Sequence, residues 1–149
     1  IGGAGFGRIL QYLGKDNPQL DWEAATAALK EMLPGLSFRT AEEWRAVTEG
    51  TFREGEDGVL HIDWDPLIVE PMRTRADSAE LWTLFQAIRA KPALAFRGEN
   101  SDILSEATMS KMTARHTRLT AVTVAGAGHT PSLLEEEATS AIDTFLKEI

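Results

Sequence analysis

The stretch that decides the fold runs from residue 93 to residue 131 and reads ALAFRGENSDILSEATMSKMTARHTRLTAVTVAGAGHTP. It contains a short apolar run, Ala93–Phe96, which is typical of a buried strand, and a second run, Leu119–Val124, which also predicts a strand. Between the runs, Ser105 is placed to cap a helix that continues to about Arg115. The order strand, helix, strand predicts a βαβ unit with two parallel strands.

Each flank of this unit predicts a further helix. The N-terminal one opens at Asp77 or Ser78, and its apolar stripe consists of Leu81, Trp82, Leu84, Phe85 and Ile88. The C-terminal one is amphipathic and turns these side chains inward: Ala138, Ile142, Phe145 and Leu146. Residues 77–149 are therefore expected to form one α/β region.

The preceding residues, 1–76, predict helices and no strand. A glycine-rich loop leads into a short helix that stops at Gly14, and Asp21 caps a second helix. Thr40-Ala-Glu-Glu43 has the spacing of a capping box and opens a third helix. Asp57-Gly58 indicates a turn, and the segment after it is short and mostly extended. We expect this region to be helical.

Two loops follow the two predicted strands, and each carries a residue suited to catalysis. Asp102 lies in the first loop and His129 in the second. Since parallel strands end on the same side of a sheet and lie about 5 Å apart, the two side chains can reach each other. A carboxylate bonded to an imidazole fixes its tautomer and stabilises the imidazolium form. Glu99 is the alternative acid in the same loop.

The two loops resemble sequence motifs of a known family. Residues 96–104, FRGENSDIL, resemble the acid loop of α/β-fold hydrolases, and residues 126–131, GAGHTP, resemble their histidine loop. The order, acid before histidine near the chain end, also matches. The resemblance covers the last two strands of that fold, with a helical lid before them. It implies that Asp102 is the triad acid and His129 the general base.

The nucleophile of that family would stand on a G-x-S-x-G elbow, N-terminal to the lid. No serine of this chain has glycine two positions before and two after it; the serines are Ser37, Ser78, Ser101, Ser105, Ser110, Ser132 and Ser140. The resemblance thus implies a partial α/β-hydrolase fold, with a lid at 1–76 and the C-terminal core at 77–149. We expect this chain by itself to be inactive.

Composition excludes several other classes of protein. The net charge of -8 argues against nucleic acid and against anionic membranes, because both require concentrated basic side chains. The lack of cysteine removes disulfides, thiolate zinc sites and cysteine nucleophiles, and fits a cytoplasmic protein. The start, Ile1-Gly2-Gly3, has neither Met nor a signal-peptide pattern, which fits a chain that begins partway through a longer polypeptide.

Four further features have a structural interpretation beside a functional one. His61 near Asp63 and Asp65 offers metal-ligand types without a recognised spacing, so we expect no metal there. The glycines of residues 2–7 have the wrong spacing for a dinucleotide loop. His116 is expected to interact with a helix C-terminus, and Glu135 to Glu137 to form the acidic first turn of the last helix.

The tryptophans are expected to pack in the core, with one or two lining a substrate pocket: Trp22, Trp44, Trp64 and Trp82.

The sequence favours a hydrolase of carboxylic esters or related small molecules, working without cofactor or metal. The alternative is a non-catalytic domain of the same fold that binds a ligand or a partner. Under either interpretation, we expect the two-stranded sheet of this chain to be completed by a second copy or by the missing N-terminal half, because exposed sheet edges and faces are normally covered.

Overall fold

The computed structural model describes residues 3–12, 15–69 and 78–149. The chain divides into two compact units. One unit comprises residues 1–6, 35–37 and 75–149, and the other comprises residues 7–34 and 38–74. The predicted boundary between residues 76 and 77 stays a prediction.

Helix α1, Gly3–Tyr12, begins within the glycine-rich start of the chain. The expected loop over the first glycines was therefore wrong for residues 3–7, which are helical. A helix there also removes the backbone shape that a dinucleotide loop needs. The predicted stop at Gly14 lies outside the described residues.

The second unit contains two capped helices, α2 (Trp22–Met32) and α3 (Ala41–Glu49). Both predicted caps are confirmed. Asp21 accepts a hydrogen bond from the Ala24 amide, and Thr40 forms a reciprocal capping box with Glu43.

A short antiparallel hairpin follows α3, so the expectation of no strand in this part of the chain was wrong. Strand β1 is Phe52–Glu54 and strand β2 is Leu60–Ile62. Strands of this length are too short to give a recognisable alternation of apolar and polar residues. The predicted turn is confirmed, since Gly58 adopts φ +78°, a conformation that glycine tolerates best.

The core of the second unit lies between the helices and the hairpin. Ala25 and Leu29 of α2 are fully buried, and Phe52 and Leu60 of the hairpin are buried with them. Phe52 thus enters the core from a strand. A short 3-10 turn, Pro66–Val69, ends the described part of this unit.

The first unit carries the predicted βαβ arrangement. Its elements in chain order are α4 (Ser78–Ala87), β3 (Ala93–Gly98), α5 (Glu106–Arg115), β4 (Leu119–Val124) and α6 (Glu136–Lys147). Strands β3 and β4 pair in parallel and in register, from Ala93 with Leu119 to Gly98 with Val124. Helices α5 and α6 pack against β4. Val124 and Ala138 are fully buried at this packing.

Several apolar side chains of this unit are exposed where the sequence predicted burial. On α4, Trp82 and Phe85 are half-buried, but Leu84 is 68% exposed. On α6, Leu146 is 61% exposed although we expected it to face inward. Amphipathic spacing identifies the apolar face of a helix, but it does not supply the surface that covers that face.

Candidate active site

The two loops with the predicted site residues lie side by side at the carboxyl end of the parallel strands. We call residues 99–104 the acid loop and residues 125–134 the histidine loop. The Glu99 amide donates to the Val124 carbonyl over 2.9 Å, and the Asn100 amide donates to the Ala127 carbonyl over 2.8 Å. The backbone of one loop is thereby bonded directly to the other.

The acid loop is braced from inside by the side chain of Arg97. Its Nε donates to the Leu104 carbonyl and its Nη2 to the Glu99 carbonyl, each over 2.9 Å. Ser101 Oγ accepts from the Leu104 amide over 3.0 Å, which closes a tight turn around Asp102. Arg97 and Gly98 belong to strand β3 rather than to the loop we predicted, and this places the guanidinium beneath the acid loop.

Glu99, the alternative acid, contacts the backbone of the histidine loop through its side-chain carboxylate. Glu99 Oε2 accepts from the Gly126 amide over 2.8 Å. This bond assigns a bridging role to the Glu99 carboxylate. Asp102 is exposed at the tip of the same loop.

The histidine loop needs glycine because other backbone approaches it closely. A Cβ atom on Gly128 would lie 2.6 Å from Gly35 Cα, and a Cβ atom on Gly98 would lie 2.6 Å from the Ala127 carbonyl oxygen. Gly126 has φ +69°, a conformation that glycine adopts without strain. His129, half-buried, follows directly on these contacts.

A buried carboxylate fixes the end of the histidine loop, and sequence reasoning missed it. Glu135, only 3% exposed, precedes α6 as its N-cap residue. Its Oε1 accepts a short hydrogen bond from Ser37 Oγ, and also accepts from the Ser132 amide and hydroxyl over 3.1 and 2.9 Å. We expected only a charged helix end, because Ser37 stands 98 residues away in the chain.

Burial by itself raises the pKa of the Glu135 carboxyl. The hydrogen bonds from Ser37, from its own backbone and from Ser132 outweigh that effect, and they hold the pKa below the usual glutamate value. Glu135 is therefore ionised at neutral pH inside the protein.

The Gly35–Ser37 segment contacts the histidine loop at two points. The Gly128 amide donates to the Gly35 carbonyl over 2.9 Å, and the Ser132 amide donates to Ser37 Oγ over 2.8 Å. Leu133, which follows, has φ +65°, a strained conformation for a branched residue. Surrounding contacts therefore define the path of this loop.

His61, which the sequence analysis considered as a metal ligand, lies in the second unit between two carboxylates. Its Nδ1 is 2.6 Å from Asp16 Oδ2 and its Nε2 is 3.0 Å from Asp57 Oδ2. Hydrogen bonds to Asp16 and then to Asp57 raise the pKa of His61. No group of three or more acidic, cysteine or histidine side chains in the described parts of the chain could hold a metal ion. The carboxylate pair therefore stabilises the protonated ring.

His116 is buried at the end of α5 and packs its ring 5.5 Å from that of Phe85. Its Nδ1 accepts from the Arg118 amide, beyond the helix. The His116 ring therefore bonds to the turn that follows the helix, and not to the C-terminal carbonyls of the helix as we expected.

Among the described residues, a cation lies over the ring of Trp22, of Trp44 and of Trp82. Arg45 lies 4.7 Å from the Trp22 ring, Lys30 5.1 Å from the Trp44 ring, and Arg115 4.3 Å from the Trp82 ring. A cavity of about 520 Å³ opens in the second unit, bordered by Tyr12, Lys15 and Met32 among others. None of these three tryptophans lines it.

Known proteins were found that share the fold described above. No family model matches the sequence. A 3-hydroxybutyrate-oligomer hydrolase from Cupriavidus necator is 32% identical over 137 residues, covering 86% of this chain and 46% of that protein. The structure of an α/β hydrolase from Novosphingobium aromaticivorans superposes with a TM-score of 0.84 at 31% identity, covering 99% of this chain and 53% of the other.

E-2-(acetamidomethylene)succinate hydrolase, at 24% identity and a TM-score of 0.71, supports the fold alone; the match covers 95% of this chain and 53% of that one. The chain has the fold of the α/β hydrolases. It spans about half the length of the relatives it matches. The described residues include no helix with both the length and the apolar character that a membrane crossing requires.

Proposed function

We propose that this chain supplies the acid and the base of an ester hydrolase with a Ser-His-Asp triad. The observation that carries the proposal is the hydrogen-bonded pairing of the acid loop and the histidine loop at the carboxyl ends of β3 and β4. Asp102 orients the ring of His129 and stabilises its protonated form.

The reaction would be acyl transfer in two steps. His129 takes the proton of a serine hydroxyl as the serine oxygen attacks the ester carbonyl, and returns that proton to the departing alcohol. It then takes a proton from the water that attacks the acyl-serine, and gives this proton to the serine oxygen as the acid is released. No cofactor or metal takes part in these steps.

The serine itself belongs, in this proposal, to a part of the hydrolase outside these residues. None of the seven serines has the glycine pattern of a nucleophile elbow. The exposed apolar side chains of α4, including Leu84, support a further covering part of the fold. Residues 1–76 would then be the lid and residues 77–149 the C-terminal core, and this chain alone would be inactive.

The relative from Cupriavidus necator, which is named for hydrolysis of 3-hydroxybutyrate oligomers, supports a proposal of the substrate class. We propose short hydroxyacid esters and similar small esters as the first substrates to test. We propose a cytoplasmic location on the cysteine-free composition.

The test compares this chain with a version extended by any coding sequence that precedes Ile1. Both are assayed with p-nitrophenyl butyrate and with 3-hydroxybutyrate dimers. We expect turnover only by the extended version, and a loss of at least about 1000-fold in kcat/KM on His129→Ala. His61→Gln is the matched control and should retain activity.

Two results would oppose the proposal. If no upstream sequence encodes a serine elbow, a ligand- or partner-binding domain becomes the better interpretation. If the extended protein is active and His129→Ala leaves kcat/KM unchanged, the assignment of the base is wrong.

A further inference from the structure

We propose that Gly35, Ser37 and Glu135 form a clasp that positions His129, with Ser37 and Glu135 as positioning residues for the reaction. This inference deepens the proposed function and rests on it for its catalytic consequence. The clasp joins a segment between α2 and α3 to the histidine loop and to the start of α6.

The clasp holds the chain on both sides of His129. On the N-terminal side, the Gly35 carbonyl accepts from the Gly128 amide, and the Gly35 backbone is too close for a side chain at Gly128. On the C-terminal side, Ser37 Oγ accepts a hydrogen bond from the Ser132 amide and donates one to Glu135 Oε1. A shift of either anchor would change the position of His129, because few rotatable bonds separate them.

The clasp also has an energetic feature that packing alone does not explain. Glu135 Oε1 accepts three hydrogen bonds, while its buried Oε2 has no hydrogen-bond partner among the described residues. Burying a carboxylate costs free energy that apolar packing would avoid. The three donors and the strained Leu133 indicate that the loop is held against its own local preference.

The charge of the clasp is as informative as its geometry. Glu135 stays ionised because the hydroxyl of Ser37 and the groups of Ser132 solvate its charge. A buried anion at the end of the histidine loop favours a protonated imidazole there, which is the state that forms during catalysis. Neutralising Glu135 is therefore expected to disturb His129 without removing a contact to it.

The experiment measures His129 first, with no dependence on activity. The chain has three histidines, so long-range ¹H–¹⁵N spectra of the ¹⁵N-histidine-labelled protein give three imidazole patterns. The His61→Gln and His129→Asn variants assign them. We compare Glu135→Gln and Ser37→Ala with Glu136→Gln, which removes the same charge from the same helix end at an exposed side chain.

We expect Glu135→Gln and Ser37→Ala to lower the pKa of His129 or change its tautomer balance. The Ser132 amide should exchange at least about 10-fold faster with solvent in both variants. Ser37→Thr, which keeps the hydroxyl, should restore the wild-type spectrum, and Glu136→Gln should reproduce it. If Glu135→Gln does not fold, Ser37→Ala carries the test alone.

The catalytic consequence is measured in the extended protein. We expect Glu135→Gln and Ser37→Ala to reduce kcat by about 10- to 100-fold with little change in KM, because a misplacement of about 1 Å has effects of that size. His129 signals that coincide in all variants would overturn the clasp. A disturbed His129 in a protein whose ester turnover ignores His129→Ala would leave the clasp standing and overturn the proposed function.

Discussion

Replacing Gly98 with alanine should displace the histidine loop, because this glycine ends β3 directly against that loop. A Cβ atom there would lie 2.6 Å from the Ala127 carbonyl oxygen and 2.8 Å from the Gly128 carbonyl carbon, and still nearer to the Gly128 oxygen. Carbon and oxygen atoms prefer separations of about 3.5 Å, so relieving the nearest of these contacts requires the backbone to move by more than about 1 Å. All the nearest atoms are backbone, so no flexible side chain can give way.

Two magnitudes follow from this displacement. Overpacking of this kind costs about 1–3 kcal/mol of unfolding free energy, and more where backbone alone must yield. A shift of about 1 Å at His129 would reduce kcat/KM about 100-fold in the extended protein. Urea titration followed by tryptophan fluorescence gives the first quantity, and ester turnover gives the second.

Gly50→Ala is the matched control for this substitution. Its nearest neighbour would be the Ala46 carbonyl oxygen at 3.6 Å, an ordinary contact, and its φ of -79° suits any residue. We expect the control to stay within about 0.5 kcal/mol of the wild type. A Gly98→Ala protein that is equally stable, with an unchanged His129 spectrum, would refute the close approach of the two loops.

Three further predictions concern the supports of the two units. Asp16 and Asp57 raise the pKa of His61, so its stabilisation is complete below about pH 6.5 and is lost as the pH rises through the raised value. His61→Gln should therefore lower Tm near pH 6 and leave it unchanged near pH 9, and equal losses at both would contradict this. Arg97→Lys loses the planar guanidinium that braces the acid loop. Hydrogen exchange of the amides in residues 99–104 should therefore become faster, and ester turnover should fall about 10-fold. Unchanged amide exchange would contradict the bracing role of Arg97. Leu29→Ala should cost about 2–5 kcal/mol in urea unfolding, because Leu29 is fully buried, and a loss below about 1 kcal/mol would contradict its place in the core.

The elements that the sequence predicted correctly are those with local signals. The caps at Asp21 and Thr40 are visible because a cap and its partner lie within one helical turn. Strand β4 was predicted over its full length, because six residues with apolar and β-branched side chains lie between polar turns. The two loops followed from the strands, since parallel strands end on one side.

The features that the sequence did not predict depend on distant contacts. The β1–β2 hairpin consists of strands of three residues, too short to show alternation. The bond between Ser37 and Glu135 joins residues far apart in the chain, and a single sequence carries no signal for such a pair. The bond from Gly126 to Glu99 likewise became visible only once β3 and β4 were paired. The apolar face of α4 is exposed, and the sequence of a helix does not show whether another part of a protein covers such a face.

The measurement that tests the central claim most directly compares two carboxylates in one loop. Asp102→Asn and Glu99→Gln remove the same charge from the acid loop, and kcat/KM for p-nitrophenyl butyrate is determined for both in the extended protein. If Asp102 orients His129, Asp102→Asn loses about 1000-fold or more, whereas Glu99→Gln loses only what a weakened loop contact costs, about 10-fold. Full activity of Asp102→Asn, or a larger loss for Glu99→Gln, would contradict the assignment of Asp102 as the triad acid.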